Sequence, residues 1–227
     1  MKKIIYSLFS AFTFIFTTHI TTAQTFRAGV TIGATGTDIN GMDSRDGDND
    51  FNKLGYQLGG IVNTSLDKKN MFQMEINYIK KGTMQKPDSL NNDYYKLALD
   101  YIEVPLMLRH RMHFNIGKTP IDRFDWEMGA SVGRMVRHTW MKDGQPAPLN
   151  LNSLNKTDVS VFLGLNYNFS SNSCLSLRYS NSVIPAVKHN AYPGYFFFYA
   201  FNTGNNMVFQ ISLKFIFGGS AEKAATK

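Results

Sequence analysis

Between Phe26 and Phe217, apolar and polar side chains alternate with a period of two in eight successive segments. The first has Phe26, Ala28, Val30, Ile32 and Ala34 on one face. The second has Leu54, Tyr56, Leu58, Gly60 and Val62, and the third Phe72, Met74, Ile76 and Tyr78. The fourth sets Ile102, Val104, Leu106 and Leu108 against Tyr101, Glu103, Met107 and Arg109. The fifth sets Phe124, Trp126, Met128, Ala130 and Val132 against Asp125, Glu127, Gly129, Ser131 and Gly133. The sixth runs through Val159, Val161, Leu163, Leu165, Tyr167 and Phe169. The short seventh opposes Leu175, Leu177 and Tyr179 to Ser176, Arg178 and Ser180. The eighth opposes Met207, Phe209, Ile211, Leu213, Phe215 and Phe217 to Gln210, Ser212 and Lys214. Such alternation predicts strands with two chemically different faces, and no helical periodicity competes with it.

Two all-β architectures fit this pattern. A soluble sandwich would bury the apolar face, whereas a membrane barrel would turn it to lipid and enclose the polar one. Segment length separates them. Most of these runs reach 10 to 13 residues, against about 5–6 in soluble strands, and a tilted membrane strand needs about 9–11. The connections also alternate. Those at 37–53, 83–97, 141–156 and 183–204 are long, those at 66–70 and 170–173 short, and 112–123 intermediate. That is the phase of an up-and-down barrel with both termini in the periplasm. The prediction is therefore an eight-stranded antiparallel up-and-down transmembrane β-barrel over residues 24–217. Its interior would hold Glu75, Glu103, Arg109, Glu127, Asp158, Arg178 and Lys214. Eight strands leave room for side chains and little else, so a lumen filled with charges of both signs is not a pore. Within it, Glu75, Glu103, Arg109, Glu127 and Arg178 are expected to form an ionic cluster that fixes strand register.

Composition changes this picture little. A mean hydropathy of -0.23 is what strands with one polar face average to. The 18 Phe and 11 Tyr suit strands and interfacial girdles. The N-terminus adds a compartment. Lys2 and Lys3, the apolar run Ile4–Phe16, and Thr21 and Ala23 ahead of Gln24 read as a secretory signal peptide over 1–23. The apolar run is too short to span a bilayer as a helix. Removing Lys2 and Lys3 lowers the net charge from +7 to about +5. The remaining Lys and Arg are scattered and make no basic helical stripe, which argues against nucleic acid as a partner. The single cysteine, Cys174, excludes an intrachain disulfide.

Candidate chemistry is sparse. The acidic stretch Asp43–Asp50 has no Gly at the sixth position of a calcium loop, and Gln57 stands where the bidentate Glu would be, so it reads as a solvated acidic loop, with loose divalent binding as the alternative. His110 and His113 fall at a strand end, where residues three apart face opposite sides. His138 is expected outward near the rim, with no outward Ser and acid to complete a triad. No cofactor, metal, catalytic residue or small-molecule substrate is expected. Tyr192, Tyr195, Phe196, Phe197, Phe198, Tyr199 and Phe201 crowd the last long loop. A solvated loop does not carry that much apolar surface without a partner, so these residues are expected either to extend strand eight into the interfacial aromatic girdle or to contact a partner protein or lipid. After Phe217, residues 218–227 read as a disordered polar tail.

The stretch Asp100-Tyr-Ile-Glu-Val-Pro-Leu-Met-Leu-Arg109 resembles the Y-I-E-[IV]-P-L-x-[LFM]-[KR] motif of the PorT-like outer-membrane β-barrels of Bacteroidetes. Arg178-Tyr-Ser-Asn-Ser-Val-Ile-Pro185 and Phe201-Asn-x-Gly-Asn-Asn206 are similar to the secretion-linked branch of that family. The resemblance implies a non-enzymatic accessory of the type IX secretion system, which exports proteases, adhesins and gliding proteins. Its partners would be outer-membrane lipid and other secretion-system proteins. The alternative is a general structural or adhesion surface barrel similar to OmpX-like proteins. Pro105 cannot donate to a strand ladder, so a bulge or break is expected there.

Overall fold

The computed structural model describes residues 26–40, 51–85, 87, 94–116, 119–148, 153–187 and 204–217. The expectations for the signal peptide (1–23), the acidic loop (43–50), the aromatics Tyr192 to Phe201 and the tail (218–227) concern residues outside this set. Eight long strands carry the fold: β1 (Phe26–Ile39), β2 (Lys53–Ser65), β3 (Asn70–Gln85), β4 (Tyr95–Arg111), β7 (Phe124–Lys142), β9 (Thr157–Asn168), β10 (Ser173–Ser182) and β11 (Asn206–Ile216). Short strands β5 (Phe114–Ile116) and β6 (Thr119–Ile121) form a hairpin in the β4–β7 connection. Strand β8 (Gln145–Pro146) folds back on β7 through an Asp143-Gly144 turn with positive φ at both positions, as a type I′ hairpin requires.

Every long strand pairs antiparallel with its sequence neighbour. β1 pairs with β11 from Gly29–Ile216 to Ile39–Asn206, and β4 pairs with β7, so the sheet closes. The result is an eight-stranded up-and-down barrel. Closure matters because hydrocarbon offers no partner to a free backbone edge. The start of β1, the end of β11 and the strand ends joined by 66–69, 112–123 and 169–172 lie at one end of the barrel, called here the terminal end. The strand ends joined by 40–52, 86–94, 143–156 and 183–205 lie at the other, called the loop end.

Pairing between β3 and β4 passes from Met74–Leu106 directly to Asn77–Glu103. The ladder thus lapses beside Pro105, which has no N–H to give it. On the other side of β4 a bulge lets Asp100 pair with Arg137 while Tyr101 pairs with Met135. The extra residue, Val136, resets the alternation of β7. Arg137 therefore shares the exterior face with Asp100, and His138 shares the face of lumen-directed Leu99. The outward placement of His138 inferred from uninterrupted alternation is corrected by this bulge.

The exterior is apolar. Ile32, Leu58, Ile76, Leu106, Val132, Leu163 and Ile211 are all exposed, a surface no soluble monomer shows water. Aromatic pairs mark both margins. At the terminal end His110 packs against Trp126 and Phe124 against Tyr167 in tilted pairs, with ring centroids 5.6 and 5.1 Å apart. At the loop end Tyr56 meets Tyr78 at 6.1 Å. From Ile102, level with Tyr78, to His110 is about eight residues of β4, or roughly 19 Å of membrane normal at ~3.3 Å per residue and a ~45° tilt.

The interior is not uniformly polar. At the loop end Ile39, Ile79, Leu97, Leu99, Tyr101 and Val208 point inward and pack with Leu154 and Ala186 of the overlying connections. Asn155 N–H donates to Ala186 O at 2.9 Å, and Leu154 bridges to Val187. The sequence reading placed Tyr101 on the inner face but did not anticipate the rest of this apolar plug.

Candidate functional site

Below the plug the lumen is filled by charged side chains in three groups, each set by the rows of the ladder. The central group starts from one row in which Glu127, Gly164 and Arg178 face one another across β7, β9 and β10. Gly164 leaves the space between the charges. A Cβ there would lie 2.9 Å from Glu127 Cγ and 2.7 Å from Leu177 O. Arg178 Nε donates to Glu127 Oε1 at 2.7 Å, while Nη1 and Nη2 each reach Glu75 at 3.1 Å across the lumen. Lys214 Nζ lies 2.9 Å from Glu127 Oε2 and 3.4 Å from Glu75 Oε1. Two carboxylates and two cations balance. Gln73 and Asn77 donate to Glu75 at 2.7 and 2.9 Å, and Asn166 donates to Glu127 at 2.9 Å. The Arg178 guanidinium also lies 4.5 Å from the ring centre of Phe162.

The second group lies toward the plug. Glu103, Gly133 and Asp158 share a row across β4, β7 and β9, again with glycine between the charged positions. Lys81 Nζ bridges the two acids at 2.6 Å from Glu103 and 2.7 Å from Asp158. The third group lies at the terminal end. Arg109 Nη2 is 2.7 Å from Asp125 Oδ2, and Nη1 donates to Gln73 at 3.1 Å. Arg111 approaches the same carboxylate at 3.7 Å from the rim. Beside this group a space of about 60 Å³ is lined by Arg27, Arg109, Asp125 and buried Cys174.

The structure thus brings together Glu75, Glu127 and Arg178. It places Glu103 and Arg109, expected in the same cluster, in two other groups on other rows. Lys81 escaped the sequence reading because the third segment was ended at Tyr78; continuing the alternation Glu75, Asn77, Ile79 by one step reaches it. Asp125 was assigned the inner face but not recognised as Arg109's partner.

Charges buried this fully persist only when paired and hydrogen-bonded. Removing one member leaves the others uncompensated, at about 3–5 kcal/mol. The arrangement links side chains of β3, β4, β7, β9, β10 and β11 across the bore and occupies it. Among the described residues no group of three or more His, Cys, Asp or Glu is placed to hold a metal. His110 Nδ1 is 2.7 Å from Asn70 Oδ1, whereas His113 is 3.8 Å from Asp122, so the two histidines face different partners.

Residues 22–188 match the model of a family described as outer membrane protein beta-barrel domain. Among solved structures, the chain is similar to the attachment invasion locus protein Ail of Yersinia pestis, in complex with the heparin analogue sucrose octasulfate. The two share 13% identity over 85% of this chain and 99% of that one, with a TM-score of 0.46. Neisserial surface protein A matches at 10% identity over 86% and 100%, with a TM-score of 0.43. OprG from Pseudomonas aeruginosa matches at 12% over 86% and 95%, with a TM-score of 0.32. No curated protein matches significantly. With three-quarters of its length inside the family match, its sheet closed and its exterior apolar, this chain belongs to the outer membrane protein beta-barrel domain family and is an integral outer-membrane protein.

Proposed function

We propose that this barrel is a non-enzymatic accessory component of type IX protein secretion. Both termini lie in the periplasm, the long loops lie outside, and the work is done at the rims. The observation that carries this reading is the filled bore. An apolar plug at one end and three charged groups behind it leave no passage for cargo, so engagement falls to surfaces. The resemblance of Asp100–Arg109 to the PorT-like stretch supplies the secretion link. The same residues furnish Glu103 and Arg109 to two of the three lumen groups, a structural reason for the shared pattern. In this reading Tyr192, Tyr195, Phe196, Phe197, Phe198, Tyr199 and Phe201 form the contact with a partner protein or with lipid, and the ionic groups hold the scaffold in register.

Deleting the gene tests it. Loss of exported proteases and adhesins from the medium, with envelope lipids unchanged, is the expected result, and tagged barrel should recover other secretion-system proteins. Normal secretion with altered surface adhesion would replace this reading by that of a general surface barrel.

A further inference from the structure

We infer that the exterior wall of β3, β4 and β7 holds a phosphorylated lipid, its phosphate against a basic cluster at the loop end and an acyl chain in a concavity below. On the orientation proposed above, the leaflet concerned is the outer one.

The charges come first. Through the hydrocarbon level the exterior faces of the eight strands are uncharged, and cations appear together at the loop-end margin of three neighbouring strands. Lys80 (β3) pairs in register with Asp100 (β4), which pairs with Arg137 (β7). Lys96 lies further along β4, and Arg134 is level with Ile102. Arg134 and Arg137 are exposed, and Lys80 and Lys96 half-buried. Among the described residues none of these four cations is in an ion pair. Arg134 donates to Thr157 Oγ1 at 3.0 Å, and Lys80 lies 4.9 Å from the ring centre of Tyr56. The one acid among them, Asp100, is buried and accepts the Tyr78 hydroxyl at 2.6 Å. Among the described residues, β1, β9, β10 and β11 present no cation on their exterior faces at this level. A one-sided cluster of cations with no ion pair among the described residues, at the headgroup level, selects an anion, as basic juxtamembrane positions select anionic lipid.

Directly below lies an apolar concavity of about 650 Å³, lined by Leu106, Met128, Ala130, Val161 and Leu163 among others. It exists because Ala130 offers a single methyl where its neighbours on β4 and β9 carry four-carbon and three-carbon side chains. Ala130 is four residues below Arg134, ~13 Å along β7, and Val132 lies exposed between them. A lipid whose phosphate sits at Arg134 and Arg137 would lay an acyl chain over Val132 into this hollow. At that depth the recess faces the hydrocarbon of the bilayer, which supplies acyl chains as its occupant.

The test uses full-length protein folded in zwitterionic micelles, with folding scored by heat-modifiable electrophoretic migration. Bound lipid is read by native mass spectrometry after addition of lipid A, of dephosphorylated lipid A, or of lipid A with inorganic phosphate in excess. Wild type should retain one lipid A and lose the dephosphorylated form. Arg134→Gln/Arg137→Gln should weaken retention roughly 30-fold, about one kcal/mol-scale contribution per cation. Ala130→Phe, which fills the hollow and leaves the cations intact, should weaken it as well. Equal retention by the folded Arg134→Gln/Arg137→Gln variant, or equal retention of the dephosphorylated lipid, would overturn the phosphate site. Full displacement by inorganic phosphate would overturn the acyl groove. Binding in micelles does not depend on membrane orientation or on a role in secretion, so this proposal and that reading fail separately.

Discussion

The two ends of one lumen are built from opposite chemistry on the same inward-facing register. In the middle and at the terminal end, inward positions carry Glu75, Glu127, Arg178, Lys214, Arg109 and Asp125. At the loop end the same face of the same strands carries Ile39, Ile79, Leu97 and Leu99. Lys81 and Glu103 sit at the boundary, where the Lys81 ammonium also lies 5.5 Å from the ring centre of Tyr101. The difference follows from what covers each region. The connections carrying Leu154 and Ala186 fold over the loop end and form a small apolar core. The centre has only other strands across a narrow bore, and a ring of backbone that must stay in register. Charge pairs across the bore are directional and penalise a one-residue slip severely, since a slip turns every inward charge toward lipid. Apolar packing seals but does not specify register in the same way.

That contrast can be broken from its ionic side first. Glu127→Leu removes the acid shared by Arg178 and Lys214, leaving two cations facing Glu75 alone. The expected cost is about 4 kcal/mol, read as a lower urea midpoint for unfolding from lipid vesicles and loss of heat-resistant migration. The double change Glu127→Leu/Arg178→Met should recover much of it, since replacing both partners with apolar groups costs less than orphaning one. Recovery absent, the coupling assigned to this pair is wrong.

On the apolar side, Leu99→Ala hollows the plug. The expected loss is about 3 kcal/mol, with register unchanged. If this variant were to mispair strands, detected by amide hydrogen exchange along β4 and β7, the division of labour between plug and charges would not hold.

The smallest effect lies outside both regions, in the 66–69 turn. Backbone N–H groups of Lys69 and Asn70 donate to Asp67 Oδ1 at 2.7 Å each, and the Asn70 side chain donates to Oδ2 at 2.6 Å. These bonds, the Asn70 side chain foremost, hold the Asp67 carboxyl below the ordinary carboxylate range. A depressed folded value means the contribution is present above that range and disappears as pH falls through the lowered value. Asp67→Ala should therefore lower the urea midpoint slightly at neutral pH, and the gap to wild type should close on acidification. A gap independent of pH would remove the carboxylate from the account.

The barrel was readable in the sequence because a period of two is a local property, written afresh on each strand. Facing was readable wherever the period ran unbroken, as in Glu103 against Ile102 or Glu127 against Met128. It failed at His138, because one inserted residue, Val136, reverses every position after it and carries no compositional mark. It did not reach Leu97, which the sequence reading leaves in the connection 83–97, or Leu99, because an apolar residue facing inward is indistinguishable from one facing lipid until the overlying connection is known. The charged residues were recognisable as inward; their partners were not. Glu103 meets Asp158 through Lys81 only by virtue of a register propagated across four strands. Gly133 and Gly164, standing between the charges of their rows, looked in the sequence like ordinary small residues.

The central claim is that the bore is closed. Ion conductance across a planar bilayer containing the folded protein tests it most directly. The account predicts no channel steps above the bare-membrane baseline at 1 M salt, for wild type and for Leu99→Ala alike, because the charged groups alone fill the centre. Stable, discrete steps from wild-type protein would mean an open passage through the ionic groups and would contradict it.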